Sequence, residues 1–311
     1  MQNFMNSQDP LSLDRIRSVL VRLEDTIIFS LIERSQFAHN PRCYVKGGIS
    51  ALKDQGFDGS WLQWFLKETE TFQAKARRFT SPDETPFTAE LPEPILPSLN
   101  YPKILHPNTI NVNPSIMFFY VHNFVPRITH AATLSVAAAN RARGIMGEGE
   151  FDDDGNYGSA ATIDVEILQA ISKRVHYGKF VSESKFQAHP SDFIPHILKP
   201  NRKALEALIT KPEVERALLA RLRKKAALYA RELDMRGDPL ETEVQTNGQL
   251  DSADKAQKAA GKGVFRVDVD TVEQLYENYI IPLTKEVEVD YLLQRLKGLS
   301  EEEITALQSS R

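Results

Sequence analysis

Arg174 and Lys185 stand eleven residues apart within a proline-free stretch, residues 158–187. Eleven residues are about three turns of an α-helix, so the two cations fall within ~20° of each other on one face. Gly178 and Val181 lie between them on that stripe. Both are small and leave the space between the cations open. Two long cationic side chains over a shallow gap suit a small dianion; the plainer reading is a solvated cationic edge. Other groups could join such chemistry. Thr284 and Glu288 are i,i+4 neighbours on one helix face, where Glu288 is otherwise a surface charge. Glu215 follows Lys211 by four residues and can simply pair with it. Arg17 sits among apolar positions near a helix start, three residues after Asp14, a local partner for it. No Walker loop, GxGxxG, HExxH or CxxC is present, and the seven histidines lack ligand spacing. The groups offered are cations and carboxylates.

Long helices must carry them. Ile163, Ile167, Ala170, Ile171, Val175 and Gly178 repeat at helical steps through residues 158–187. From Ser159 to Lys185 such a helix spans roughly 39 Å, enough for its ends to serve two sites. Its start, Asn156 to Ser159, offers free backbone N–H groups and a positive dipole end suited to a carboxylate, and Gly158 admits close approach. Residues 12–38 read as a helix capped by Ser12, with Ile16, Leu20, Leu23, Ile27 and Leu31 as its stripe, widened by Val19, Ile28 and Phe29. Residues 39–57 read as a loop. A helix from Ser60 to Phe79 turns Trp61, Trp64, Phe65 and Phe72 inward and ends on Arg77 and Arg78, where cations suit the dipole.

Residues 81–114 hold eight of the seventeen prolines and read as an extended ordered crossover. Asn113-Pro114 caps a helix running to about Arg143, kinked at Pro126. Residues 147–158 form an acidic, glycine-rich loop without the ligand positions of a calcium site. Residues 190–210 read as short helices broken at Pro190, Pro195 and Pro200. Thr210 to Glu213 reads as a capping box opening a helix to about Leu233. Residues 235–264 read as a flexible polar insertion. A last long helix runs from an Asp270/Glu273 cap to about Lys297, interrupted near Pro282, and an acidic piece, Ser300 to Gln308, follows. The fold class is all-α: one large helical-bundle domain spanning 1–311, built around the 158–187 helix.

Composition narrows the function. A net charge of −4 gives no basic footprint for nucleic acid. A single cysteine, Cys43, cannot form an intramolecular disulfide and fits a reducing compartment. No apolar run approaches the ~20 residues of a membrane span. The opening MQNFMNSQDP lacks a basic or apolar leader, so the expected location is the cytoplasm.

The stretch SKRVHYGKFVSESKFQ (172–187) resembles the matching helix of the all-helical chorismate mutases of fungi and plants. So do LDRIRSVLVRLEDTIIFSLIERSQF (13–37), RRFTSPDETPF (77–87) and YIIPLTKEVEVDYLLQRL (279–296). The resemblance implies conversion of chorismate to prephenate in phenylalanine and tyrosine biosynthesis. That unimolecular pericyclic step needs no nucleophile, metal or redox cofactor, so no cofactor is expected. Arg17 and Arg174 would clamp the two substrate carboxylates. Lys185 and a protonated Glu288 would donate to the ether oxygen. Thr284 would hold a carboxylate and Glu215 the hydroxyl. The family often has asparagine where this chain has Lys211, which would act through either its backbone carbonyl or its side chain.

The resemblance further implies a homodimer with an amino-acid effector site across the interface, where tyrosine inhibits and tryptophan activates. Arg77, Arg78, Asn156, Gly158, Ser159 and Thr162 match that site. Two other classes stand beside this one: a non-catalytic helical interaction protein retaining the fold, and a helical enzyme acting on a different dianion.

Overall fold

The computed structural model describes residues 9–97, 99, 101–147, 149, 153–231 and 266–309. The expected insertion at 235–264 lies outside them. Every regular element among the described residues is helical, with no β-strand. The expected central helix is two consecutive pieces, α7 (Tyr157–His176) and α8 (Gly178–Ala188), parted only at Tyr177, which itself keeps a helical conformation. The joint is a tightened turn: the amides of Phe180 and Val181 both bond the Tyr177 carbonyl, and the Tyr177 amide bonds Lys173. α7 is buried on most of its circumference, with Val165, Ile167, Leu168, Ile171 and Val175 in the main core.

α1 (Leu13–Arg34) packs along α7 in the opposite direction. The anchor is Arg34, fully buried, whose Nε donates to Asp164 at 2.7 Å. Asp164 also accepts from the Tyr44 and Tyr120 hydroxyls. Arg34 folds back onto the Phe37 and Ala38 carbonyls, which explains why α1 stops short of residue 38. Pinned there, α1 carries Arg17, some seventeen residues back, toward the Arg174 end of α7. Phe29, expected on the buried face, is 51% exposed and stacks on Tyr229.

Residues 39–57 are less loop-like than expected: they contain a 3-10 turn, Pro41–Cys43, and a short α2 (Ser50–Asp54). α3 (Trp61–Lys75) opens with a Ser60/Gln63 capping box. Its inward face is Leu62, Leu66, Glu70 and Ala74, whereas Phe72 is 73% exposed and Trp61, Trp64 and Phe65 are half-buried. Phe65 packs on the core as expected, and Phe72 is the one aromatic of the four that faces outward. α3 ends before Arg77, which takes a left-handed φ of 73°, the conformation of a helix C-terminal stop.

The crossover is irregular, as its prolines require, and buried polar groups hold it in place. Glu70 accepts from the amides of Phe87 and Thr88. His176 Nε2 accepts from the Val112 amide, and Lys179 donates to the Ile110 carbonyl. Burial, then Lys179, pushes His176 down to about 4, so the ring is neutral and free to accept. Lys173 bridges Asp83 and Glu84 at 2.7 Å each.

α4 begins at Asn113 itself, with Val112 as cap; the Asn113 side chain instead donates to Thr85 and Pro86 carbonyls in the crossover. The kink at Pro126 takes the form of a π turn, Tyr120–Phe124, between α4 (Asn113–Phe119) and α5 (Val125–Ile128); α6 (His130–Ala142) follows. The same device precedes Pro282: α12 (Val269–Leu275), a π turn at Tyr276–Ile280, then α13 (Ile281–Gln294). Widening the turn makes room for a ring that would otherwise strike a carbonyl, so the chain continues without a break. The cap of α12 is Asp268, not Asp270; Asp270 and Glu273 both hold Arg223.

Pro195 lies inside α9 (Pro190–Leu198) without breaking it, and α10 (Arg202–Ile209) follows. α11 (Pro212–Tyr229) is capped by Lys211, so Thr210 forms no capping box. α14 (Glu301–Ser309) ends the described chain. A second core, around Phe186, Phe193, Leu205, Val289 and Leu292, ties α8, α9, α10 and α13 together.

Candidate active site

The elements enclose a cavity of about 240 Å³ between α1, α7, α8, the α10–α11 turn and α13. It gathers every residue expected to touch substrate: Arg17, Arg174, Lys185, Lys211, Glu215, Thr284 and Glu288 all line it. Leu13, Ile16, Leu20, Val181, Leu218 and Ile281 form its apolar wall. Their positions differ in ways the sequence did not show.

Arg174 is 6% exposed, and its Nε has no hydrogen-bond partner. An unpaired buried cationic donor is costly, and a carboxylate satisfies it. Arg17 is at the mouth, its side chain 65% exposed and 3.2 Å from Asp14. The local partner and the cavity therefore compete for one guanidinium. Lys211 is exposed on the rim, and its side chain makes no cap to α11.

Lys185 is half-buried and its ammonium donates to the Ile209 carbonyl. Burial pushes its pKa down; Glu288 opposes that, while Lys211 and Arg17 add to it. Glu288 is 8% exposed, and its pKa is pushed up to about 7. Burial is the largest cause; Lys185, Arg174 and Lys285 pull it back, and Glu215 pushes it further up. A carboxyl that titrates there is protonated in a substantial fraction of molecules at neutral pH and can donate a hydrogen bond. The Thr284 hydroxyl donates back to the Ile280 carbonyl at 2.6 Å, so it must rotate to donate to a ligand.

Lys285 lines the same cavity and was not singled out in the sequence. It pairs with Glu215 at 2.9 Å. In TKEVEVDY it looks like one more surface charge; the signal available was its place beside Thr284, one residue from the cavity face. Thr210, expected as a cap, also lines the cavity, with its Oγ1 buried and unpartnered.

The six residues expected to form an effector site fall into two groups within one chain. Arg78 bonds Glu84 and Gln169, and Arg77 bonds the Pro97 carbonyl. Asn156, Gly158, Ser159 and Thr162 open α7. α3 and α7 run in the same direction, joined by Trp61 to the Tyr157 carbonyl at one end and Gln73 to Gln169 at the other. Gln169 is ten residues beyond Ser159, about 15 Å along the helix. One chain therefore does not bring the arginines to the helix start. In the adjacent acidic loop, Asp154 accepts from Asn40 and the Ala38 and Asn156 amides, and Asp153 accepts from Tyr157. No helix among the described residues is long and apolar enough to cross a membrane.

Comparison with known proteins gives the same direction. The chorismate mutase type II family matches residues 156–289. The chorismate mutase of Schizosaccharomyces pombe is 39% identical over 93% of this chain and 98% of its own length. Chorismate mutase 1, chloroplastic, of Petunia hybrida is 39% identical over 95% of this chain and 79% of its own. Among solved structures, Aro7p chorismate mutase from Candida albicans in complex with L-Trp superimposes with a TM-score of 0.76 at 38% identity, covering 98% of this chain and 99% of that one. AtCM1 with tyrosine bound in its allosteric site gives 0.70 at 37%, covering 94% and 99%. With 39% identity to such relatives over more than nine-tenths of its length and the same all-helical architecture, the chain belongs to the chorismate mutase family and is an isomerase.

Proposed function

We propose that the cavity binds chorismate and accelerates its rearrangement to prephenate by holding a reactive conformer and stabilising charge on the breaking ether. The observation that carries this reading is the buried Glu288, titrating at about 7, in one cavity with Lys185 and Arg174. In the reaction the C–O ether bond breaks as a C–C bond forms, with no net proton transfer. Negative charge grows on the ether oxygen, and two donors there lower the barrier. Lys185 supplies one and protonated Glu288 the other. Arg174 and Arg17 clamp the carboxylates, Arg17 by leaving Asp14, and fix the geometry in which the reacting carbons meet. Thr284 adds a carboxylate contact, and Glu215, held by Lys285, accepts from the hydroxyl. Lys211 strengthens the positive field at the mouth through its side chain. Purified protein mixed with chorismate, without added cofactor, should consume its ultraviolet absorbance and yield prephenate. An unchanged spectrum would leave the non-catalytic interaction protein as the better account.

Regulation belongs to the same proposal. The arginines that follow α3 and the start of α7 lie apart in one chain, so a homodimer would assemble the effector site by pairing one subunit's arginines with its partner's helix start. The amino-acid complexes of the Candida enzyme and AtCM1 support amino-acid binding here. Tyrosine is expected to inhibit and tryptophan to activate, through a rotation that α7 carries about 22 Å from Ser159 to Arg174. Chorismate saturation curves with each amino acid should shift in opposite senses, and Ser159→Ala or Arg78→Ala should weaken both shifts. Variants responding as the wild type does would place the effector elsewhere.

A further inference from the structure

α8 and α13 run in the same direction where they touch. Gly178 meets Thr284 and Glu288, the Ser182 hydroxyl donates to the Glu288 carbonyl at 3.1 Å, and Glu183 accepts from Tyr291 at 2.6 Å and Arg295 at 2.7 Å. A Cβ added at Gly178 would lie 2.9 Å from Glu288 Cγ and 3.1 Å from the Thr284 carbonyl oxygen. The first is shorter than packed atoms tolerate; the second, to backbone, is tight and can be relieved only by a shift of a few tenths of an ångström. Glycine is not needed here for its conformational range: residue 178 is helical and has no positive φ. A glycine inside a helix costs roughly 0.5–1 kcal/mol relative to alanine, so local stability argues against it. What takes up the space a side chain would need is the methylene stem of Glu288.

We infer that Gly178 is a positioning residue for the reaction: the volume its side chain would fill is occupied by the stem of Glu288, which fixes where that carboxyl sits in the cavity. The Ser182 hydroxyl, one turn on, holds the Glu288 backbone at the same contact. This inference rests on the reading of Glu288 as the ether-oxygen donor. Gly178→Ala drives the stem away from α8, toward the open cavity and water. Around that carboxyl stand Lys185 from α8, Arg174 from α7, Lys285 from α13 itself and Glu215 from α11. Less burial weakens the main cause of its raised pKa, so the alkaline fall in activity moves to lower pH.

The test is a double-mutant cycle of Gly178→Ala with Glu288→Ala, which deletes the colliding Cγ. Gly178→Ala alone should lower kcat on the order of tenfold, short of the ~10²-fold that a misplacement of a full 1 Å can cost. It should also shift the alkaline limb to lower pH. On the Glu288→Ala background the same change should alter residual turnover by no more than about twofold, the scatter of non-interacting sites. Equal losses on both backgrounds, or an unmoved pH limb, would overturn the inference. If Gly178→Ala fails to fold, Glu288→Ala should restore folding; a double variant that stays unfolded assigns the glycine to the Thr284 backbone and also overturns it. Should Glu288→Ala by itself retain wild-type turnover, the reading of Glu288 fails first, and the cycle separates that failure from this one.

Discussion

Lys185→Ala is expected to lower turnover by ~2.7–4 kcal/mol of transition-state stabilisation, the scale of a lost oxyanion donor, or roughly 10²- to 10³-fold in kcat. The fold should persist, because Lys185 is half-buried, its ammonium bonds only a backbone carbonyl, that of Ile209, and its side chain belongs to neither apolar core. A second signature follows from the electrostatics. Lys185 is the first of the cations that pull the Glu288 pKa back down. Removing it leaves burial less opposed, so the residual activity should hold to higher pH than in the wild type. Steady-state kinetics across pH checks both parts. A Lys185→Ala protein with near wild-type turnover would remove Lys185 from the reaction.

Glu288 gives the other large effect. In its proposed role the protonated form is the active one, and its pKa is pushed up from 4.5 to about 7. Activity should therefore be full below that value and fall as pH rises through it. In the substrate complex a bound dianion disfavours a further negative charge, so the fall in kcat should come at higher pH than the fall in kcat/KM. Glu288→Ala should cost about as much as Lys185→Ala. Glu288→Gln keeps a donor at every pH and should retain activity at alkaline pH where the wild type has lost it. A Gln variant that folds and binds a substrate analogue, yet is dead across the whole range, would contradict a donor role.

Spacing alone pairs Arg174 with Lys185 and Thr284 with Glu288; that these residues join Arg17, Glu215 and Lys211 in one site was implied by the family resemblance. Arg174 and Lys185 share a cavity because eleven residues are three turns, and the joint at Tyr177 hardly disturbs the register. Thr284 and Glu288 share it because i and i+4 share a face. Periodicity is a local property, and these pairs lie on single helices. What the sequence hid depends on contacts between elements. The Arg34–Asp164 pair that sets α1 against α7 joins residues 130 apart. The Lys285–Glu215 pair joins α13 to α11.

Capping was misjudged in two places, for different reasons. Asn113 turned to the crossover carbonyls, whereas α11 is capped one residue later than expected, at Lys211, and leaves the Thr210 hydroxyl facing the cavity without a partner. Proline was over-read as a breaker at 195 and 282, because a widened turn, or one forgone hydrogen bond, lets the helix continue. Gly178 was read as open space between cations. Its actual neighbour, the stem of Glu288, lies 110 residues away in sequence, and only the packed helices reveal it.

The proposed chemistry turns on the protonation of Glu288, which can be observed directly. Infrared difference spectra of the wild type minus Glu288→Gln should show the carbonyl stretch of a protonated carboxylic acid at pH 6. The band should fade as pH rises through about 7 and persist to higher pH when a dianionic substrate analogue is bound. A Glu288 carboxylate already fully ionised at pH 6, with or without the analogue, would contradict the account.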